Sequence, residues 1–378
     1  MTQIQFLDYD IPNAIVPVIS LRPDRVFYVY DDTDVSKEQL ERLTRVVRKY
    51  LPSTELRFCK VNRYRFSVIV AELKKIVESL EESERSQGLY FDITGGTEIM
   101  TACGMMLCRE IDGARAIYTH LGKGEIFEIY SGQKLCDVRH LSLEDYFLVS
   151  GTKLRGASHA VPGEDMFPAV KEAAEWVFAH PQNWHAYSGT LMNRFNYDRW
   201  FEMPEKVSSS AGKFSSKAAT DVFVKTGFLL KKDGKYRYAS DAARSYLTTY
   251  GIWLEMYTYI RALEYFDEVY LGCQIDWNAA DGKDVNGSEI DVVAMRHSEL
   301  WFFSCKMAMP KQEDLCEVGY LAGLLGGDHA HGVMVTNHSF SEAERRSANG
   351  IYTKITDYKL GRILTGDLIK KPMEELVR

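Results

Sequence analysis

Two hydrophobic rhythms alternate along the first part of the chain. Short runs rich in β-branched and aromatic residues, at 3–7, 25–30, 56–61, 88–93 and 114–121, predict strands. Between them, at 37–50, 68–80 and 98–110, apolar residues recur every three or four positions and predict amphipathic helices. Asp10 followed by Ile11, Pro12 and Asn13 reads as an N-cap with proline in the first turn of a further helix, which Pro23 closes. Strands alternating with helices of this length form βαβ units. The expectation is therefore an α/β fold whose first part is a doubly wound parallel sheet with helices on both faces. Two shorter β-prone runs, 125–130 and 134–138, joined by Ser131-Gly132, predict an antiparallel hairpin that finishes the sheet.

Beyond that point the rhythm changes. Residues 145–168, with glycines and prolines around Ser158-His159, have the character of a linker. Residues 166–250 look helical until Asp233-Gly234, which separates two short β-prone runs and signals a hairpin. Helices followed by such a hairpin suggest a winged helix, a module that either reads DNA or serves as a spacer or dimer contact. A helix opening at Gly251, a strand starting at Glu268, and strands at 288–295 and 300–306 joined by a tight polar link complete the pattern. Three units are expected: 1–155, a middle unit over 165–248, and 249–378.

Composition narrows the class. The chain has 378 residues, 46% hydrophobic and 26% charged, which is ample for sizeable cores and excludes global disorder. No apolar stretch approaches the roughly 18 to 20 residues that a membrane span needs; residues 14–21 are broken by Pro17. Asp8 and Asp10 stand where a secretory signal would be basic and then apolar, so a cytoplasmic location is expected. Seven cysteines without a CxxC pair read as reduced, mostly buried thiols. A net charge of -7 argues against a protein that coats polyanions through its whole surface. Between 201 and 240, however, eight basic residues face four acidic ones.

In a doubly wound sheet, ligands bind beyond the carboxyl ends of the strands. The loops gathered there are 7–13, with Asp10, Pro12 and Asn13; 31–34, with Asp31; and the turn Thr94-Gly95-Gly96-Thr97 ahead of Glu98. Two adjacent glycines between a strand and a helix let the backbone approach a ligand and aim free N–H groups at it, which implies an anion, most naturally a phosphate. The alternative is a Gly-Gly turn that serves only tight strand-to-helix packing.

A second constellation lies near the C-terminus. Because strand side chains alternate, Glu289, Asp291 and Val293 are expected on one face, and Phe302, Ser304 and Lys306 on one face of the partner strand. An acid and a lysine then meet across the hairpin, with Glu255 on the preceding helix. That is the layout of a metal-dependent phosphodiesterase: Asp291 and Glu255 offer hard oxygen ligands to Mg2+ or Mn2+, and Lys306 orients the attacking water or stabilises charge on the phosphate. Cys305 would add its backbone carbonyl, since its thiol points to the other face. The competing reading is an ordinary Asp291–Lys306 cross-strand ion pair with Glu255 on the helix surface. His329 and His331 read as loop histidines rather than zinc ligands, and Trp176, Trp184 and Trp200 as packing aromatics rather than a base-stacking platform.

These motifs together resemble a known family. Asp92-Ile93-Thr94-Gly95-Gly96-Thr97 is similar to the signature of CARF domains, Rossmann-like sensors of cyclic oligoadenylates in type III CRISPR systems. The last unit resembles the restriction-endonuclease-like PD-(D/E)xK domain of CARF-linked ancillary CRISPR nucleases. The residues that carry this are GIWLE at 251–255, EIDVV at 289–293, FFSCK at 302–306 and GGDHAHGVMVTN at 326–337. The resemblance spans nearly the whole chain. It implies that Thr94, Gly95, Gly96 and Thr97, with the loop from Asp10 to Asn13, hold cyclic tetra-adenylate across a homodimer axis. It further implies that Glu255, Asp291 and Lys306 bind or assist a divalent metal that cuts single-stranded DNA or RNA in antiviral defence. Two positions depart from the pattern. Glu98 stands where many CARF domains have lysine, and Ser304 stands where the nuclease motif has Asp or Glu, so that the Cys305 carbonyl with Glu255 or Glu289 would have to compensate. Two other readings are a nucleotide-sensing winged-helix transcription regulator with a degenerate nuclease domain, and a sensor domain that itself degrades the cyclic ligand.

Overall fold

The structure is a computed structural model and describes residues 1–157, 159–197, 200–277, 287–308, 310–336 and the backbone of 361–364. Ser158 of the expected linker and Asn337 of the GGDHAHGVMVTN stretch lie outside the described residues. The first sheet has seven strands: β1 (Thr2–Phe6), β2 (Arg25–Tyr30), β3 (Glu55–Lys60), β4 (Leu89–Asp92), β5 (Ala114–His120), β6 (Glu125–Glu128) and β7 (Lys134–Asp137). Their order is β3-β2-β1-β4-β5-β6-β7, parallel from β3 to β5 and antiparallel thereafter. Helices α1 (Ile11–Leu21), α2 (Lys37–Tyr50), α3 (Phe66–Glu78), the short α4 (Glu82–Ser86) and α5 (Glu98–Glu110) connect the parallel strands. The strand order reverses between β1 and β4, so the crevice lies beyond the ends of those two strands. Local signals fix the helix starts. Ser36 and Gln39 form a reciprocal capping box at α2, and Thr97 accepts from the Met100 amide at α5. Asp10 stands at the N-cap of α1, but its carboxylate accepts from Asn13 Nδ2 at 2.7 Å instead of capping a helix amide.

Much of the stretch expected as a linker is regular. Ser142 caps α6 (Leu143–Ser150), Gly151 at φ 83° stops it, and β8 (Lys153–Ala157) follows. The middle unit comprises α7 (Phe167–Ala179), α8 (Pro181–Thr190), a π-helical turn at Leu191–Phe195, the hairpin β9 (Lys206–Ser209) and β10 (Gly212–Ser215), α9 (Lys217–Lys225), the hairpin β11 (Leu229–Lys232) and β12 (Lys235–Tyr238), and α10 (Asp241–Thr248). Asp233 and Gly234 both have positive φ, as a two-residue hairpin turn requires. Trp184 is fully buried, its ring 6.1 Å from that of Trp253, and its Nε1 donates to the Tyr250 carbonyl at 2.9 Å.

The remainder holds α11 (Ile252–Ala262), β13 (Glu268–Asp276), β14 (Ser288–Arg296), β15 (Glu299–Lys306), α12 (Gln312–Gly326), β16 (Ala330–Thr336) and β17 (Gly361–Leu364). With β8 these strands build a six-stranded sheet in the order β17-β16-β15-β14-β13-β8. Helix α11 and the middle unit bury one face of it, through Trp253, Val292, Trp301 and Phe303. The other face is covered by α12 and by α1, α2 and α6: Ile15, Val47, Phe147, Phe302 and Val318 share one core. The N-terminal and C-terminal parts are thus packed through common apolar surface rather than strung on a tether. All seven cysteines are unpaired and four are buried. No helix among the described residues is long and apolar enough to cross a membrane.

Candidate functional site

The C-terminal cleft begins with a fault in a β-ladder. Leu271 pairs with Val292 and Cys273 with Ile290, yet the first pair faces the α11-side core and the second the α12-side core. Residues two apart in regular strands share a face, so both strands turn over between these pairs, at Gly272 (φ 63°) and Asp291. The expected alternation of Glu289, Asp291 and Val293 therefore does not hold: Ile290 and Val293 both pack toward α12, and Asp291 sits at the crossing. The register between β14 and β15 runs from Arg296–Glu299 to Val292–Phe303. Past that last pair, the Cys305 amide donates to Asp291 Oδ2 at 2.5 Å, so a side-chain carboxylate takes the place of a ladder carbonyl.

Glu289, Asp291, Ser304 and Lys306 line one small cleft of about 90 Å³, with Phe302, Val318 and Leu321 as its apolar wall. Lys306 Nζ lies 3.6 Å from Asp314 Oδ1 of α12, so the lysine's ion pair is with the helix rather than the simple cross-strand pair with Asp291. Burial, and to a lesser degree the charge of Glu289, raises the Asp291 carboxyl to about 6 against the opposing pull of the Cys305 amide and Lys306. Glu255 approaches from α11 and does not line this cleft, but burial first and then the charges of Asp291 and Glu289 push its carboxyl to about 8, with Lys306 opposing. The Cys305 thiol faces Thr258 Oγ1 at 3.5 Å on the α11 side and is raised well above the usual range by burial, which leaves its sulfur inert. His331 stacks on Trp301 with centroids 3.9 Å apart and pairs with Glu299, a packing role.

Among the described residues, no three His, Cys, Asp or Glu side chains converge as a ready metal cage. The donor set nevertheless suits a hard divalent cation, which is commonly held by one or two carboxylates together with waters and phosphate oxygens. Two half-buried carboxyls held toward the protonated form, Asp291 by burial and Glu255 by burial and the charge of Asp291, are what such a charge would relieve. Sequence reasoning missed Asp314 and Glu317: α12 brings Glu317 to the cleft and Asp314 to Lys306 from outside the strands. Their three-residue spacing on a helix directly after β15 was the available signal.

The loops at the β1/β4 crevice form a second site. Gly96 has φ 86° and a Cβ there would lie 2.5 Å from Phe6 Cβ, while a Cβ at Gly95 would lie 3.1 Å from the Phe6 carbonyl oxygen. At Gly96 only glycine fits, and a side chain at Gly95 would be tight against the Phe6 carbonyl. The Gly96 amide is not free for a ligand: it donates to Asp8 Oδ2 at 2.9 Å, while Asp8 Oδ1 accepts from Asp10. Asp8, which no motif singled out, thereby clips the β1 loop to the Gly-Gly turn. Asp92, completely buried, accepts from the Thr94 amide at 2.7 Å and is raised to about 7 by burial. Asp31 accepts from the Thr33 amide and hydroxyl and from the Arg63 amide, so its carboxylate shapes its own loop. Glu98 is exposed in the first turn of α5. Pro12 occupies the first turn of α1, and Asn13 is buried against Asp10. Asp10 of this crevice lies beside the turn that follows α12: a Cβ built at Gly327 would be 3.4 Å from Asp10 Oδ2.

Residues 241–366 match the family model for the Card1-like endonuclease domain. No curated protein matches the chain in a sequence comparison. Among solved structures, the fold is similar over its whole length to the protein VC1899 from Vibrio cholerae, with a TM-score of 0.77, 15% identity and 97% of that chain covered. It is likewise similar to Can2 from Sulfobacillus thermosulfidooxidans, solved in complex with cyclic tetra-adenylate, with a TM-score of 0.68, 17% identity and 98% of that chain covered. A type III CRISPR defence DNA nuclease activated by cyclic oligoadenylate aligns with 99% of this chain and 51% of its own, at a TM-score of 0.56 and 16% identity. The α/β architecture expected from the sequence is thus a fold shared with these solved structures, and the segment that carries Glu255, Asp291, Ser304 and Lys306 is similar to a Card1-like endonuclease domain.

Proposed function

We propose that the protein is a cyclic oligoadenylate-activated, metal-dependent endonuclease of the PD-(D/E)xK type, acting as a homodimer on single-stranded DNA or RNA in type III CRISPR defence. The observation that carries this reading is the placement of Asp291 where β14 and β15 part, in one cleft with Lys306, inside the segment similar to a Card1-like endonuclease domain. Phosphodiester hydrolysis needs a water directed at phosphorus opposite the leaving oxygen, and compensation of the charge gathering on the phosphoryl oxygens. Asp291, fixed by the Cys305 amide, and Glu255 across the sheet would hold a Mg2+ or Mn2+ ion together with the Cys305 carbonyl. That ion, when bound, supplies Lewis-acid charge and an acidified water. Lys306 supplies a fixed positive charge beside the scissile phosphate. Asp314 restrains its ammonium at 3.6 Å, near enough to orient it and loose enough for a phosphate oxygen to compete.

Activation by cyclic tetra-adenylate, the ligand in the Can2 complex, is assigned to the crevice formed by the Asp10–Asn13 loop and Thr94-Gly95-Gly96-Thr97. The turn after α12 lies beside Asp10, so the crevice borders the far end of the helix whose first turn bears Asp314. The ring shifts the dimer toward the cutting state only as far as it binds that state more tightly, about 1.4 kcal/mol for each tenfold change. The test compares cleavage of labelled single-stranded DNA and RNA in Mn2+ by wild-type protein and Asp291→Asn. Ligand-dependent cutting that Asp291→Asn abolishes, with cyclic tetra-adenylate still bound, is expected. Undiminished cutting by Asp291→Asn overturns the site.

A further inference from the structure

The strand position two residues before Lys306 holds Ser304, a neutral and weak oxygen donor, so this cleft lacks an acid on β15. Glu289 also lines the cleft, but its carboxylate is shared with His159. It lies at the exposed start of β14, with His159 Nε2 3.9 Å from its Oε1. Glu255 reaches Asp291 from helix α11 on the far side of the sheet and does not itself line the cleft. Helix α12 does face it. Asp314 accepts from the Lys311 amide at 2.7 Å and neighbours Lys306, so its carboxylate is committed to the helix cap and the lysine. Glu317, one turn further along, lines the cleft with Asp291, Ser304 and Lys306 and is exposed to solvent. Val318 and Leu321 are buried in the core beneath, which fixes the rotation of the helix and keeps Glu317 at the mouth. A volume of about 90 Å³ leaves room for an ion and a few waters between the two walls.

We propose that Glu317 supplies, from helix α12, the acidic oxygen donor that Ser304 does not, and pairs with Asp291 in binding the divalent cation. The inference rests on the nuclease reading above and adds a residue from a different element to it. An acid carried on a helix leaves the ladder of β15 undisturbed, and it places one donor on an element whose far end touches the ligand crevice. Cation affinity and activation are thereby tied to the position of a single helix.

The test is Mn2+ binding to the full-length protein, by calorimetry and by the electron paramagnetic resonance of free Mn2+, for the wild type, Asp291→Asn, Glu317→Gln and Ser304→Glu/Glu317→Gln. Because Glu317 is exposed, Glu317→Gln should melt with the wild type. Its Mn2+ affinity should fall by about tenfold or more. The Mn2+ concentration needed for cutting should rise in parallel, and Ser304→Glu should recover most of both. Wild-type Mn2+ binding and cutting by Glu317→Gln, with Asp291→Asn impaired, overturns this inference while the nuclease reading stands. Wild-type binding and cutting by both single variants removes the site itself. A loss in Glu317→Gln that Ser304→Glu does not recover overturns the claim that the two positions supply the same donor.

Discussion

Gly96 is where the crevice at the ends of β1 and β4 is least tolerant of change, and Gly96→Ala measures how tightly the Gly-Gly turn is built. At φ 86° any L-residue is strained, which costs about 1 to 2 kcal/mol. The added methyl would begin 2.5 Å from Phe6 Cβ, and Phe6 is fully buried on β1 between two hydrogen-bonded strands, so it has nowhere to retreat. Overpacking of this kind costs about 1 to 3 kcal/mol. Together the effects come to roughly 2 to 5 kcal/mol, or about 5 to 15 °C in melting temperature. Gly132 is the matched control, with φ 69° and nothing within 4 Å of a built Cβ, so Gly132→Ala carries only the backbone part. Thermal and urea melts of the two variants beside wild type separate strain from clash. Gly96→Ala should melt well below Gly132→Ala and bind cyclic tetra-adenylate more weakly, because relieving the clash with Phe6 shifts the turn that the Gly96 amide holds to Asp8. Equal melting of the two variants would refute the packing argument.

Two predictions concern pH and buried charge. Asp92 holds its proton more tightly folded than unfolded, about 7 against 3.8, so between roughly pH 4 and 7 the folded state binds more protons and stability falls as pH rises. The loss attributable to this residue reaches about 4 kcal/mol above pH 7. Asp92→Asn should flatten that part of the urea-midpoint profile, and identical profiles for variant and wild type would contradict it. Asp145 behaves oppositely. Lys49, Tyr50 and Ser142 all bond its carboxylate, and those bonds hold its carboxyl below the usual value in spite of burial. Its contribution is present above about pH 4 and disappears as pH falls through the lowered value. Asp145→Ala should cost about 2 kcal/mol at neutral pH by loosening α6 from α2, and much less at low pH. Chemical denaturation at both pH values reads the difference, and an equal loss at both would reject the assignment.

What could be read from the sequence was what local chemistry decides. Helices α2 and α5 occupy the residues their periodicity indicates because Ser36, Gln39 and Thr97 cap them within one turn. Asp233-Gly234 made its hairpin for the same reason. Strand β8 was hidden in an apparent linker because its partner is β13, more than a hundred residues away, and nothing local announces that pairing. At the cleft, Asp291 and Lys306 were legible as an acid and a lysine on neighbouring strands, but the face on which they meet was not. Strict alternation fails at Asp291 because both strands turn over beside Gly272, an isolated glycine in a strand and the one visible cue. Glu317 and Asp8 were missed because each acts on an element other than its own: Glu317 reaches a cleft built by strands, and Asp8 clips a turn that follows β4. Motif reading finds residues that share an element, and tertiary packing supplies the rest.

The central claim is that a ligand-controlled nuclease site is organised around Lys306 and Asp291. Its most direct measurement is the cleavage rate of labelled single-stranded DNA and RNA in Mn2+, with and without cyclic tetra-adenylate, by wild-type protein and Lys306→Ala. The account predicts cutting that depends on the cyclic ligand and falls by about a hundredfold or more in Lys306→Ala. Cutting that ignores the ligand, or that Lys306→Ala retains at the wild-type rate, would contradict it.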